Sequence, residues 1–161
     1  MYEVCRLFIE LPHLPPREAN PNANSHYFTR SKVRREQREE MIAYVLEQGR
    51  PKTPFDKAHI TITWYAKDKR KRDVDNLLSA MKGSIDGLVE AGVLVDDSAQ
   101  HLSYSLYYQS GNDVTENKTT ILVVEITEED SFPQGWGIDL ETSYWNNAIK
   151  EIPWEIKDVR I

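Results

Sequence analysis

The sequence predicts an α+β fold, with strand and helix patterns mixed along one domain. Three observations predict it. The chain has 161 residues, 40% hydrophobic and 10% aromatic, enough for one domain with a real core. Period-two apolar alternation marks some short segments, and a 3.6-residue apolar period marks others. Turn-forming residues separate the two kinds.

Residues 2–9 (YEVCRLFI) read as a first strand. Residues 11–27 hold four prolines and no apolar period, so they read as a loop. The pattern turns helical over 31–48, where Val33, Met41, Ile42, Val45 and Leu46 supply an apolar side and Gly49 with Pro51 ends it. Arg30, Lys32, Arg34, Arg35 and Arg38 load its first half with positive charge. Residues 58–66 (AHITITWYA) alternate and are rich in β-branched side chains, a strand signal. Leu77, Leu78, Met81, Ile85, Leu88 and Val89 share one face of a helix over 76–91, with Gly92 as its C-terminal cap. Residues 101–109 and 118–127 read as two strands. The turn-rich SGNDVTEN between them predicts an antiparallel hairpin. These elements compose one domain over 1–127. Residues 128–161 form an extension with three of the four tryptophans and 8 acidic against 3 basic residues, and 142–150 fit one short helix.

Charge is divided along the chain. The net charge is −6, yet residues 1–82 carry a balance of +5 and residues 83–161 a balance of −11. A basic half suits a polyanion, although charge runs are often only solvated faces. No apolar run approaches the ~20 residues of a membrane helix, so no membrane partner is expected. The N-terminus lacks the pattern of a secretory signal, and a single cysteine, Cys5, excludes an internal disulfide framework. Cys5 reads as a small hydrophobe in the first strand, and the expected compartment is the reducing cytoplasm.

The chemistry gathers between residues 67 and 97. Asp73 and Asp75 are separated by one residue, so a strand running on to them would set both carboxylates on one face. Asp75 also stands where a helix N-cap belongs. Asp96 and Asp97 end the apolar segment 93–95, across the predicted helix from the first pair. Either pair alone is commonly a cap or a turn. Both together suit a hard cation, because convergent carboxylates do not all stay charged without a partner. Mg²⁺ or Mn²⁺ is the fitting ion, able to activate water and to steady charge on a phosphoryl oxygen. Asp75, Lys82 and Asp86 line one helical stripe. Spacing alone leaves Lys82 two roles, a phosphate contact or an i,i+4 ion pair with Asp86. Lys67, Lys69, Arg70, Lys71 and Arg72 stand immediately before the carboxylates, as a site gripping a phosphodiester backbone requires. The four histidines show no metal-ligand spacing.

The ordered combination Arg72-Asp73-Val74-Asp75-Asn76-Leu77, Lys82, Ile85-Asp86-Gly87-Leu88, Ala91-Gly92-Val93 and Asp96-Asp97-Ser98 resembles the RusA-type Holliday-junction resolvases, a family frequent in phages and prophages. Leu11-Pro12-His13-Leu14-Pro15-Pro16 and Asn24-Ser25-His26-Tyr27 resemble the family's strand-exit loop more loosely, and the resemblance spans roughly residues 2–127. It implies a small mixed sheet with two main helices on one side, acting as a homodimer. It also implies paired nicks in four-way DNA junctions during recombination and repair, with Mg²⁺ or Mn²⁺. By motif, the family's acidic residues fall on Asp73, Asp75 and Asp97, with Asp96 as a neighbouring acid, and its catalytic lysine falls on Lys82. Arg34, Arg35 and Arg38 join the 67–72 run as expected DNA contacts. Two departures stand out. The stretch from Asn76 to Lys82 is longer than in the best-known member, and the acidic extension is additional. The alternatives are a nuclease for forks or flaps, and a non-catalytic DNA-binding module with the same fold. A transferase using Asp-x-Asp is disfavoured, because no phosphate-cradling glycine loop accompanies the motif.

Overall fold

A computed structural model describes residues 6–127. The first strand's residues 2–5, with Cys5, and the short helix expected over 142–150 lie outside the described residues, as does the rest of the extension.

The described elements are β1 (Arg6–Leu11), a 3₁₀ turn (Arg17–Ala19), α1 (Tyr27–Gln48), β2 (Ala58–Ala66), α2 (Val74–Ala80), α3 (Lys82–Glu90), β3 (Leu102–Ser110) and β4 (Lys118–Glu125). They form an α+β domain with a four-stranded mixed sheet in the order β1-β4-β2-β3. β1 and β2 both run antiparallel to β4, and β3 runs parallel to β2.

Alternation does the packing. Leu7, Ile9 and Leu11 from β1, Ala58, Ile60, Ile62, Trp64 and Ala66 from β2, and Ile121 and Val123 from β4 are buried on one face. The helices meet this face through Met41 and Val45 of α1 and Leu77, Met81, Ile85 and Leu88 of α2 and α3, in one apolar cluster. Burial of each large aliphatic side chain contributes roughly 1.5–3 kcal/mol. α1 and α3 touch closely because Gly83 and Gly87 carry no side chain. A Cβ at Gly83 would stand 2.6 Å from the Arg34 carbonyl oxygen, and one at Gly87 would stand 2.7 Å from the Met41 Cβ. The strand-exit loop is pinned from two sides. His13 Nε2 meets Glu40 Oε1 of α1 at 2.8 Å, and Thr119 Oγ1 donates to the His13 carbonyl at 2.8 Å.

The structure corrects four expectations. The helix expected over 76–91 is two helices, with a break at Met81 (φ −89°, ψ 0°). The buried Gln37 side chain of α1 supplies the reason. Its Nε2 donates to the Ala80 carbonyl at 2.7 Å, taking an acceptor that a continuous helix would use itself. There are thus three helices over the sheet rather than two. The hairpin expected between 101–109 and 118–127 does not form, because β4 crosses to the far side of β2. In that position β4 is hydrogen-bonded along both edges, to β1 and to β2, whereas β3 keeps a single paired edge. α1 begins at Tyr27, before the expected 31, with His26 as its N-cap. The N-cap of α2 is Asp73, and Asp75 lies in the first turn. Among the described residues no helix is long and apolar enough to cross a membrane.

Candidate functional site around Lys82 and the start of α2

β2 ends at Ala66, and residues 67–73 carry the chain to α2. The strand does not run on to Asp73 and Asp75, so period-two geometry does not apply to them. Asp73 has extended backbone (φ −86°, ψ 131°), and its side chain makes no capping hydrogen bond. Asp75 sits in the first turn, where the positive end of the helix dipole favours a carboxylate. Both are exposed, and neither carboxylate is hydrogen-bonded or ion-paired to another described residue.

The second acidic pair is placed differently. Lys82 opens α3, and its Nζ donates to Asp86 Oδ1 at 2.7 Å and also to Asp97 Oδ2. The i,i+4 ion pair weighed from spacing is therefore present, and it is extended by a partner from beyond the helix. Burial opposes the ammonium charge, but the hydrogen bonds it donates to Asp86 and Asp97 outweigh this and raise the pKa of Lys82. Asp96 is exposed, and hydrogen bonds from the Ser98 side chain and the Asp97 amide lower its pKa. Tyr104 of β3 completes the group. Burial, with the negative charge of Asp97 nearby, pushes its phenol up to about 12 against the opposing pull of Lys82. Sequence reasoning missed Tyr104, since alternation marks it only as one face of a strand.

The basic residues also divide. Arg72 holds Asp68 with both arms of its guanidinium, at 2.7 and 2.9 Å, and donates to the Tyr108 hydroxyl at 2.9 Å. The Arg72 contact, with the Arg70 amide, holds the Asp68 carboxyl at about 2. Arg72 thus closes its own loop onto β3 instead of standing free, and Asp68 is the unforeseen partner. Lys67, Lys69, Arg70 and Lys71 are exposed. On α1, Arg35 lies 3.8 Å from Glu39 and Arg38 lies 3.2 Å from Glu90 of α3, whereas exposed Arg34 has no ion pair among the described residues. The histidines serve as hydrogen-bonding residues of the fold. His59, for one, lies between the Ser103 and Ser105 hydroxyls at 2.6 and 2.9 Å.

The expected carboxylate cluster is not assembled. Among the described residues no three His, Cys, Asp or Glu side chains form a group that could hold a metal ion. Asp97 is engaged by an ammonium, and Asp73 and Asp75 stand uncommitted. Their chemistry still suits a hard cation: all three are carboxylates, two without a partner among the described residues and one already bound to a positive charge. The chain matches no family model and no curated protein.

Proposed function

We propose that the protein is a metal-dependent endonuclease of the RusA type that cuts branched DNA, with four-way junctions as substrate, in recombination and repair in the cytoplasm. The observation that carries the reading is the pair of uncommitted, exposed carboxylates at Asp73 and Asp75, directly after a loop of exposed cations. Such carboxylates beside cations suit a site where a metal meets a phosphodiester. Asp73, Asp75 and Asp97, with Asp96 adjacent, would hold Mg²⁺ or Mn²⁺, which when bound supplies an activated water and a counter-charge for the phosphoryl oxygens. Lys82, kept protonated by its carboxylate partners, places a positive charge beside the site for the developing phosphoryl charge. Lys67, Lys69, Arg70, Lys71 and Arg34 hold flanking phosphates, with Arg35 and Arg38 as secondary contacts that must exchange a carboxylate for a phosphate. A homodimer belongs to the reading, because a four-way junction has two-fold symmetry and its resolution needs two symmetric cuts.

A second reading, a non-catalytic DNA-binding module, is favoured by one observation: among the described residues the carboxylates are not gathered as a metal-binding group. A gel assay separates the two. Purified protein is mixed with a labelled four-way junction, a fork and a linear duplex, with Mg²⁺, with Mn²⁺ and with chelator. Metal-dependent symmetric nicks in the junction, absent in Asp73→Asn, are the expected result. Faster cutting of the fork would move the substrate to forks or flaps. Binding without cleavage under either metal would overturn the nuclease.

A further inference from the structure

The N-terminus of α1 carries an unexplained feature. Tyr27 and Phe28 are 70% and 73% exposed, the most exposed large hydrophobic side chains among the described residues. They are ordered by one another. The His26 ring stacks on Phe28 with centroids 5.4 Å apart and planes 15° from parallel, and Tyr27 meets Phe28 edge-on at 5.8 Å and 72°. The His26 imidazole also accepts the Phe28 amide at 3.4 Å, so the N-cap itself holds the stack. None of this buries the rings in the core. A contiguous exposed apolar patch of this kind marks a binding surface.

Two further observations indicate the partner. Each aromatic residue heads a row of cations on the helix surface: Tyr27 precedes Arg30 and Arg34, and Phe28 precedes Lys32 and Arg35, at the spacings that share a face. The loop leading into the stack is also tied to the start of α2, where Asn22 Nδ2 donates to Asn76 Oδ1 at 2.9 Å. Asn76 directly follows Asp75. An aromatic pair heading a helix whose first half is cationic, and following a loop tied to the start of α2, fits a nucleotide, with a π-face for its base and cations for its phosphates.

We infer that His26, Tyr27 and Phe28 form a stacking platform for a base whose face is exposed at the branch point of the DNA substrate. This rests on the DNA reading above and adds to it the group that is recognised. Duplex bases are already stacked and offer no free face, whereas a branch point exposes one. The platform therefore selects branched or single-stranded DNA over linear duplex.

The test uses the full chain with chelator present, and a four-way junction or a linear duplex carrying 2-aminopurine at the branch position or its duplex equivalent. Stacking on the platform changes the fluorescence of the probe in the junction and not in the duplex. Phe28→Ala weakens junction binding about tenfold or more and leaves duplex binding within about twofold. Phe28→Trp keeps a π-face and retains tight binding. Phe28→Leu keeps the apolar bulk but loses the face, and falls with Phe28→Ala, so its result holds even if the alanine variant folds poorly. Tight junction binding by Phe28→Leu and by the Tyr27→Ala, Phe28→Ala double variant, with wild-type cleavage intact, would overturn the platform and leave the nuclease standing. Capture of the wild type by anionic lipid vesicles through Phe28, with no change of the probe in the junction, would also overturn it. A wild type that binds no DNA would remove both readings.

Discussion

Two acidic pairs begin as similar sequence features and end in different physical states. Asp73 and Asp75 open α2 in solvent with no partner among the described residues, while Asp97 closes on Lys82, which also holds Asp86. A carboxylate already bound to an ammonium contributes to the local structure. An exposed carboxylate at a helix start is free to take a ligand. Adjacent acidic residues in a sequence therefore do not share a role by default. Tertiary neighbours decide which carboxylate is engaged and which are open.

The largest expected effect tests the open pair. On the proposed nuclease reading Asp73→Asn removes a metal-ligand charge, and no capping hydrogen bond is lost with it, so cleavage falls at least about a hundredfold while stability stays within about 0.5 kcal/mol. DNA binding is kept or strengthened, as gel shift and denaturant titration together would show. Asp97→Asn breaks the symmetry between the pairs: it lowers activity and also costs up to about 1 kcal/mol, because a partly exposed ion pair is lost. Equal stability effects from the two substitutions would break the comparison.

Next in size is the helix contact that places Lys82. Gly87→Ala pushes a methyl to 2.7 Å from the Met41 Cβ and 2.9 Å from the Arg38 carbonyl, and α1 and α3 must separate. A loss of about 1–3 kcal/mol in unfolding free energy is expected, read as a lower urea midpoint, with reduced cleavage on the proposed reading as Lys82 shifts.

A smaller effect concerns alkaline pH. An unfolded tyrosine ionises near 10, but folded Tyr104 holds its proton to about 12. The unfolded chain therefore loses this proton first. The contribution of Tyr104 to stability is whole below pH 10 and fades as pH climbs toward 12. Tyr104→Phe flattens this part of the alkaline decline, measured by urea midpoints at several pH values. The raised pKa of Lys82 means that its share also fades as pH rises, and this share persists in the phenylalanine variant.

The smallest effect lies at the loop clip. Asp68 is held at about 2, so its contact with Arg72 is whole above the ordinary carboxylate range and is lost as pH falls toward 2. Asp68→Asn frees Arg72, and trypsin cuts residues 67–72 faster while the unfolding midpoint stays unchanged.

Much of the fold was legible because its signals are local. The alternation over 58–66 matches β2 residue for residue, and of the apolar stripe over 76–91 Leu77, Met81, Ile85 and Leu88 are buried, with Leu78 and Val89 partly buried against the core. The candidate site was legible only as residue types. Lys82 with Asp86 is an i,i+4 relation, which one helix can state. The hold of Lys82 on Asp97 and the nearness of Tyr104 cross from α3 to the following loop and to β3, and no sequence period records that.

By itself, then, the sequence determined where the described strands lie, which faces β1, β2 and β4 bury, roughly where the helical segments run, and where acidic and basic side chains concentrate, since each follows from spacing along a single element; it did not determine the whole buried face of α1, whose Leu46 is 68% exposed. Only the tertiary structure decided three things. It set β4 between β1 and β2, where both of its edges are paired, instead of beside β3. It split the second helix at Met81, because a buried amide from α1 took the Ala80 carbonyl. It closed Asp97 on Lys82 and left Asp73 and Asp75 open. Each is a choice among long-range partners, settled by which hydrogen bonds and charges can be satisfied together.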